Sequence, residues 1–101
     1  MAFLTQIGSG FAELAVEGGD FYPMKNRHFL YTLEVLLSER GTSVDEWFAE
    51  IEREDNGAPG TIRKVFEPDR PVLPRNMYVM AARLGISNDE LAERIKRDND
   101  L

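Results

Sequence analysis

Residues 58–66 read Ala-Pro-Gly-Thr-Ile-Arg-Lys-Val-Phe, and this stretch decides the fold that the sequence predicts. Pro59 suits the first turn of a helix, because the N–H that proline lacks would have no partner there. The stretch predicts a brief helix over about residues 59–66 that buries its apolar side chains and exposes its polar ones. The inward set is Ile62, Val65 and Phe66. The outward set is Thr61, Arg63 and Lys64.

Two longer amphipathic segments precede this stretch. Asn26 is placed to cap a first helix over about residues 27–39, and Gly41 is placed to end it in a left-handed conformation. The apolar residues of this helix recur at helical spacing and are Phe29, Leu30, Leu33, Leu36 and Leu37. Ser43 and Glu46 form a capping box that begins a second helix. Its buried stripe is Trp47, Phe48 and Ile51.

Three prolines make residues 67–74 a stiff connection to the second half of the chain. Pro74 opens a fourth helix over about residues 75–84, which Gly85 ends. Ser87 and Glu90 form another capping box and begin a fifth helix. That helix buries Leu91, Ala92 and Ile95, and its tail is expected to fray from Arg97. The predicted fold class is therefore all-α, with five helices in one domain over residues 26–98.

Residues 1–25 form an N-terminal extension with two interpretations. Ser9 is placed to cap a short helix over residues 10–17. Alternatively, Gly18-Gly19-Asp20 is the turn of a hairpin between residues 14–16 and residues 21–22. The extension carries extra apolar side chains, so we expect it to cover the domain or to form a dimer contact.

The residue types present exclude several classes of function. The chain has no cysteine and a single histidine, His28, so thiolate chemistry and transition-metal sites lack their usual ligands. No nucleophile, base and orienting group combine into a catalytic set, so we expect neither an enzyme nor a cofactor. The apolar runs are too short to span a bilayer and no signal peptide is evident, so we expect a cytoplasmic protein without a membrane partner.

The charge is negative overall but unevenly distributed. The formal net charge is −6, which argues against binding to phosphate. Residues 43–57 hold six acids and one base, whereas residues 58–86 hold five bases and two acids. A locally basic face on an acidic protein is still able to bind DNA.

From Asn26 to about Ile95 the sequence resembles the lambda-repressor/Cro-like (XRE-type) helix-turn-helix family, in particular phage and bacterial repressor heads with a tryptophan in the second helix. The matching residues before the short helix are Leu33, Leu36, Leu37, Arg40, Gly41, Ser43 and Trp47. Those in and after it are Gly60-Thr61-Ile62-Arg63-Lys64, Met77, Met80-Ala81, Leu84-Gly85-Ile86-Ser87 and Asp89-Glu90-Leu91. The resemblance implies a five-helix lambda-repressor-like helix-turn-helix domain.

The resemblance also implies a function, which is sequence-specific binding of double-stranded DNA by a homodimeric transcriptional regulator. Residues 58–66 would be the recognition helix in the major groove. The implied DNA-binding residues are Ala58, Thr61, Arg63, Lys64, Arg75 and Asn76. A regulator of this kind would act by occupancy as a repressor and would be phage- or plasmid-encoded.

The sequence departs from the family pattern at three places. Val44 stands where a polar residue usually contacts phosphate, and Phe48 stands where a small residue is usual. The turn between Trp47 and Thr61 is longer than usual and acidic. The overall acidity, the acidic turn and Val44 favour a second hypothesis, a protein-interaction module that kept the helix-turn-helix scaffold and lost DNA binding. It would be an antitoxin, an anti-CRISPR or anti-restriction inhibitor, or an adaptor that meets a basic protein partner with its acidic surface.

Overall fold

The computed structural model describes residues 20–101, so the helix and hairpin predictions for residues 1–19 lie outside the described residues. Five helices make up this part of the chain, as the all-α prediction requires. They are α1 (Asn26–Glu39), α2 (Val44–Glu54), α3 (Thr61–Val65), α4 (Pro74–Leu84) and α5 (Asn88–Asn99). Within residues 20–101 the only β-type pairing is an isolated antiparallel bridge between Lys25 and Pro71.

Most of the predicted helix boundaries are confirmed by their local chemistry. The Ser43 and Ser87 hydroxyls accept the N–H groups of Glu46 and Glu90, at 3.1 and 3.0 Å, and so begin α2 and α5. Gly85 has a φ of +77° at the end of α4, a left-handed conformation that glycine adopts without steric cost. Pro74 is the first residue of α4, where its missing N–H leaves no bond unmade.

The start of α1 differs from the prediction, because Lys25 rather than Asn26 is the capping residue. Asn26 is buried, and its side-chain amide donates to the carbonyl of Glu67 at 2.9 Å. The Lys25 N–H donates to Nδ1 of His28 at 2.9 Å. Burial, and then the charges of Arg27 and Lys25, lower the pKa of His28 below its ordinary 6.5 and so favour the neutral, accepting ring.

Two further corrections concern α3 and the C-terminus. The third helix covers only Thr61–Val65, and Val65 is half exposed rather than buried, because the helix presents Ile62 and the following Phe66 to the core. The tail does not fray from Arg97. Helix α5 continues to Asn99, whose side-chain amide donates to the His28 carbonyl of α1 at 2.9 Å. This hydrogen bond between α5 and α1 stabilises the C-terminal end of α5, which the local sequence alone would leave frayed.

The core lies where α1 packs against α5 and α2, and where α4 closes over α5. Its fully buried centre contains Phe29, Leu33, Met77, Leu91 and Ile95. Trp47, which the sequence places in the buried stripe of α2, is only partly buried and packs against the edge of this core. Phe21 and Met24, which the sequence assigns to the extension, are also buried in the core. Packing of the domain therefore begins upstream of Asn26.

Candidate nucleic-acid interface

Helix α3 is short and is held in place by the aromatic residue that follows it. Phe66 is 2% exposed, and its ring lies 5.2 Å from that of Phe29 in α1 and 6.0 Å from that of Phe48 in α2. The Phe48 and Phe66 rings are stacked, with an angle of 15° between their planes. Phe48 therefore forms part of the surface against which the end of α3 packs.

The N-terminus of α3 is capped by a carboxylate from α2. Glu52 is 7% exposed, and its two oxygens accept the N–H groups of Gly60 and Ile62 at 3.2 and 3.0 Å. Gly60 precedes the helix with a φ of +84° and has no side chain to cap it. A carboxylate at this end also complements the helix dipole. Two of the N–H groups at the start of α3 are thus already bonded to Glu52 and are not available to an anionic ligand.

The other acids of the long turn are also engaged within the chain. Arg83 of α4 donates to Glu54 at 2.9 Å and lies 3.6 Å from Asp55. Together with the inward Glu52, these contacts tie the turn to α3 and α4. The acidic turn is therefore bonded largely to the protein itself and does not stand free beside α3.

The predicted site residues on and before α3 are all exposed. The Thr61 hydroxyl donates to the carbonyl of Ala58 at 2.7 Å, which orders the turn that leads into the helix. The Lys64 side chain makes no hydrogen bond or ion pair with any residue between 20 and 101. Because Thr61 and Lys64 are three residues apart, they share one side of the helix. That side carries a cation and a hydroxyl, away from Ile62 and Phe66.

Arg63 has closer partners than the sequence indicated. Its guanidinium donates to Oδ1 of Asp45 at 2.7 and 3.3 Å, and its central carbon lies 5.5 Å from the centre of the Phe48 ring. The side chain is 48% exposed. The ring and the carboxylate fix where this guanidinium points, so Arg63 is positioned before any ligand arrives.

The two predicted residues of α4 have different surroundings. Arg75 is exposed and has no ion pair with the rest of residues 20–101. Asn76 is partly buried and lines two shallow grooves with Val65 of α3. The structure therefore brings Asn76 beside α3, on the flank that carries Val65.

A larger groove, of about 610 Å³, lies on the other flank of α3 and was not predicted from the sequence. Arg27 of α1 lines it together with Arg63, Asp45 and the exposed Tyr31. Arg27 donates to Asp69 at 3.0 Å. These partners lie 18 and 42 residues apart in the chain, so no local sequence pattern connects them. In the sequence, the groove was indicated only by the presence of a cation, Arg27, at the start of the first helix.

Residues 20–101 contain neither a cluster of metal ligands nor a helix of membrane-spanning character. No group of three or more histidine and carboxylate side chains in residues 20–101 is arranged to hold a metal ion. No helix in the same range is long and apolar enough to cross a membrane. Comparison of the chain with family models, curated proteins and solved structures found no match.

Proposed function

We propose that this protein is a DNA-binding transcriptional regulator that inserts α3 into the major groove. The observation that carries the proposal is the polar side of α3, where Lys64 and Thr61 are exposed and Lys64 has no acidic partner within residues 20–101. The most serious departure from the family pattern was the acidic turn. Its carboxylates contact Gly60, Ile62 and Arg83 instead of standing free.

The proposed scaffold is the lambda-repressor/Cro-like helix-turn-helix arrangement, with α2 as its first helix and α3 as its recognition helix. Lysine and arginine donate to guanine edges or to phosphate, and threonine bonds phosphate or contacts a thymine methyl group. Lys64, Arg63 and Thr61 take these roles, and Ala58 at the start of the turn offers a methyl group to a base. Arg75 and Asn76 hold the DNA backbone.

Two properties of such a regulator follow from general rules of recognition. A single short helix reads few bases, so a homodimer would bind a two-fold operator with one copy on each half-site. The regulator would act in the cytoplasm by occupying a promoter, its own or a neighbouring one, as phage- and plasmid-encoded repressors do.

Lys64→Ala should weaken binding to DNA from upstream of the coding sequence by about 1–3 kcal/mol if Lys64 reads a base edge. If it contacts phosphate instead, the loss should be equal on random DNA and the salt slope should fall by about one. Fluorescence anisotropy across a salt series distinguishes these outcomes.

Arg53→Ala is the matched control for Lys64→Ala. Arg53 is an exposed cation on α2 without an ion pair in residues 20–101, so its removal changes the net charge equally. An affinity that Lys64→Ala leaves unchanged, or lowers only as much as Arg53→Ala does, would reject α3 as the recognition helix.

A second candidate function, protein interaction, is favoured by an apolar surface beside α3. Val65, Leu73 and Val79 are each about half exposed, at 50%, 54% and 53%. Val65 and Leu73 line one groove with Asn76, and Val65 and Val79 line the adjoining groove with Asp55. Adjacent exposed apolar side chains are a feature of interaction sites. A partner with an apolar anchor and a neighbouring basic group fits this surface.

Val79→Asp should abolish capture of such a partner, because it places a charge in the apolar groove. Ala82→Asp is the control, since it introduces the same charge on the exposed side of the same helix without lining the groove. Affinity capture with quantitative mass spectrometry compares the two variants with the unchanged chain. A partner retained equally by all three argues against this surface.

A further inference from the structure

Two arginines on different helices line a single groove. Arg27 comes from the first turn of α1 and Arg63 from α3, and both line the groove of about 610 Å³ between α1 and the start of α2. Four residues with hydroxyl groups, Tyr31, Ser38, Thr42 and Ser43, line it as well, although the Thr42 hydroxyl already donates to Glu46. Guanidinium and hydroxyl groups are the side-chain donors that proteins use for the phosphates of nucleic acid.

Each arginine is bonded to one aspartate, and the two partners of each pair are exposed to different degrees. In the Arg63–Asp45 pair the side chains are 48% and 82% exposed, and in the Arg27–Asp69 pair they are 51% and 89% exposed. Arg63 also rests over the Phe48 ring. Arg63 is therefore held by the Phe48 ring as well as by its carboxylate, whereas the Arg27 side chain has only Asp69 as a partner within residues 20–101. Both aspartates are more exposed than the arginines that they pair with.

Replacing these carboxylates by another anion at the arginines costs little free energy. Ion pairs between exposed side chains contribute little to stability, because water and salt screen them. The oxygens of a phosphate accept charge-assisted hydrogen bonds from a guanidinium as those of a carboxylate do. When a phosphate takes the place of the carboxylate, the arginine keeps its position and only the aspartate side chain has to move.

We propose that Asp45 and Asp69 are internal competitors for DNA, and that a DNA backbone binding along this groove displaces them from Arg63 and Arg27. The inference rests on the proposed DNA-binding function and extends it to a second surface and a second arginine. Each carboxylate keeps its arginine oriented but lowers the affinity for any polyanion. Binding then requires several contacts at once, which disfavours non-specific DNA.

Glu34 is the other acid that lines the groove, and its position is compatible with a bound strand. It lies seven residues after Arg27 on α1, which places the two backbone positions about 10 Å apart along the helix axis. That separation is about one Debye length at 0.1 M salt, so salt reduces the repulsion between Glu34 and a phosphate at Arg27 without removing it.

The test measures the affinity of the full chain for a fluorescein-labelled duplex from upstream of its coding sequence. Asp45→Asn and Asp69→Asn should each raise the affinity about two- to fivefold more than Glu50→Gln does. Glu50→Gln is the matched control, because Glu50 is an exposed acid on α2 that pairs with no arginine within residues 20–101. Arg27→Ala should lower the affinity and reduce the salt slope by about 0.9, whereas Arg53→Ala should not.

The outcomes separate this inference from the proposed function. If the unchanged chain binds DNA but both asparagine variants match Glu50→Gln, the competitor role is wrong and DNA binding stands. If neither the unchanged chain nor any variant binds DNA at low salt, the proposed function fails and this inference fails with it. Asp69→Asn lies outside the helices, so it keeps the test valid if Asp45→Asn perturbs the start of α2.

Discussion

Phe66→Ala should lower the free energy of unfolding by about 3–5 kcal/mol, which is the range expected for the loss of a fully buried phenylalanine ring. The Phe66 ring is the common contact of Phe29 and Phe48, so its removal leaves a cavity between α1, α2 and the end of α3. Natural domains have only about 5–15 kcal/mol of stability in total, so this loss is a large fraction of what holds the domain folded. Urea denaturation followed by circular dichroism measures the loss.

Two further variants separate the loss of the Phe66 ring from a general effect of substitution. Phe66→Leu keeps most of the volume and should cost less than Phe66→Ala, which allows the position of α3 to be studied in a folded protein. Tyr31→Ala removes an aromatic ring that is 50% exposed on α1 and should change stability by no more than about 0.5 kcal/mol. Equal losses for Phe66→Ala and Tyr31→Ala would contradict the assignment of Phe66 as the anchor of α3.

Glu52→Ala should destabilise the protein by about 1–3 kcal/mol and release the N-terminus of α3. The substitution removes both acceptors of the Gly60 and Ile62 N–H groups, and an N–H without a partner costs free energy wherever water cannot replace the bond. Glu52→Gln should cost less, because the amide keeps one oxygen acceptor. Denaturation in urea gives the stability of each variant.

Hydrogen exchange shows whether Glu52→Ala loosens only the start of α3 or destabilises the whole domain. The Gly60 and Ile62 amides should lose protection in Glu52→Ala while the amides of α1 and α5 keep theirs. Glu50→Gln serves as the control, since Glu50 is an exposed acid on the same helix. Should the two α3 amides remain protected in Glu52→Ala, the carboxylate would not be the group that holds them.

The contrast between Glu52 and its neighbours shows where sequence reasoning reached its limit. Composition identified an acidic turn, which on the sequence alone counted against DNA binding. The structure turns Glu52 inward to cap α3 and pairs Glu54 with Arg83. Each interaction depends on which side of α2 a carboxylate occupies and on a partner from another helix. Charge counting along the chain contains neither piece of information.

The approximate positions of the five helices could be predicted from the sequence alone, because local signals define them. Caps such as Ser43 and Ser87, stops such as Gly85, and apolar residues at helical spacing act over a few residues, so their patterns are readable without a fold. Tertiary structure alone decided the surface beside α3: the pairing of Arg63 with Asp45, the groove that Arg27 shares with it, and the exposure of Val65. These features arise from side chains far apart in sequence, and only the packing of the helices brings them together.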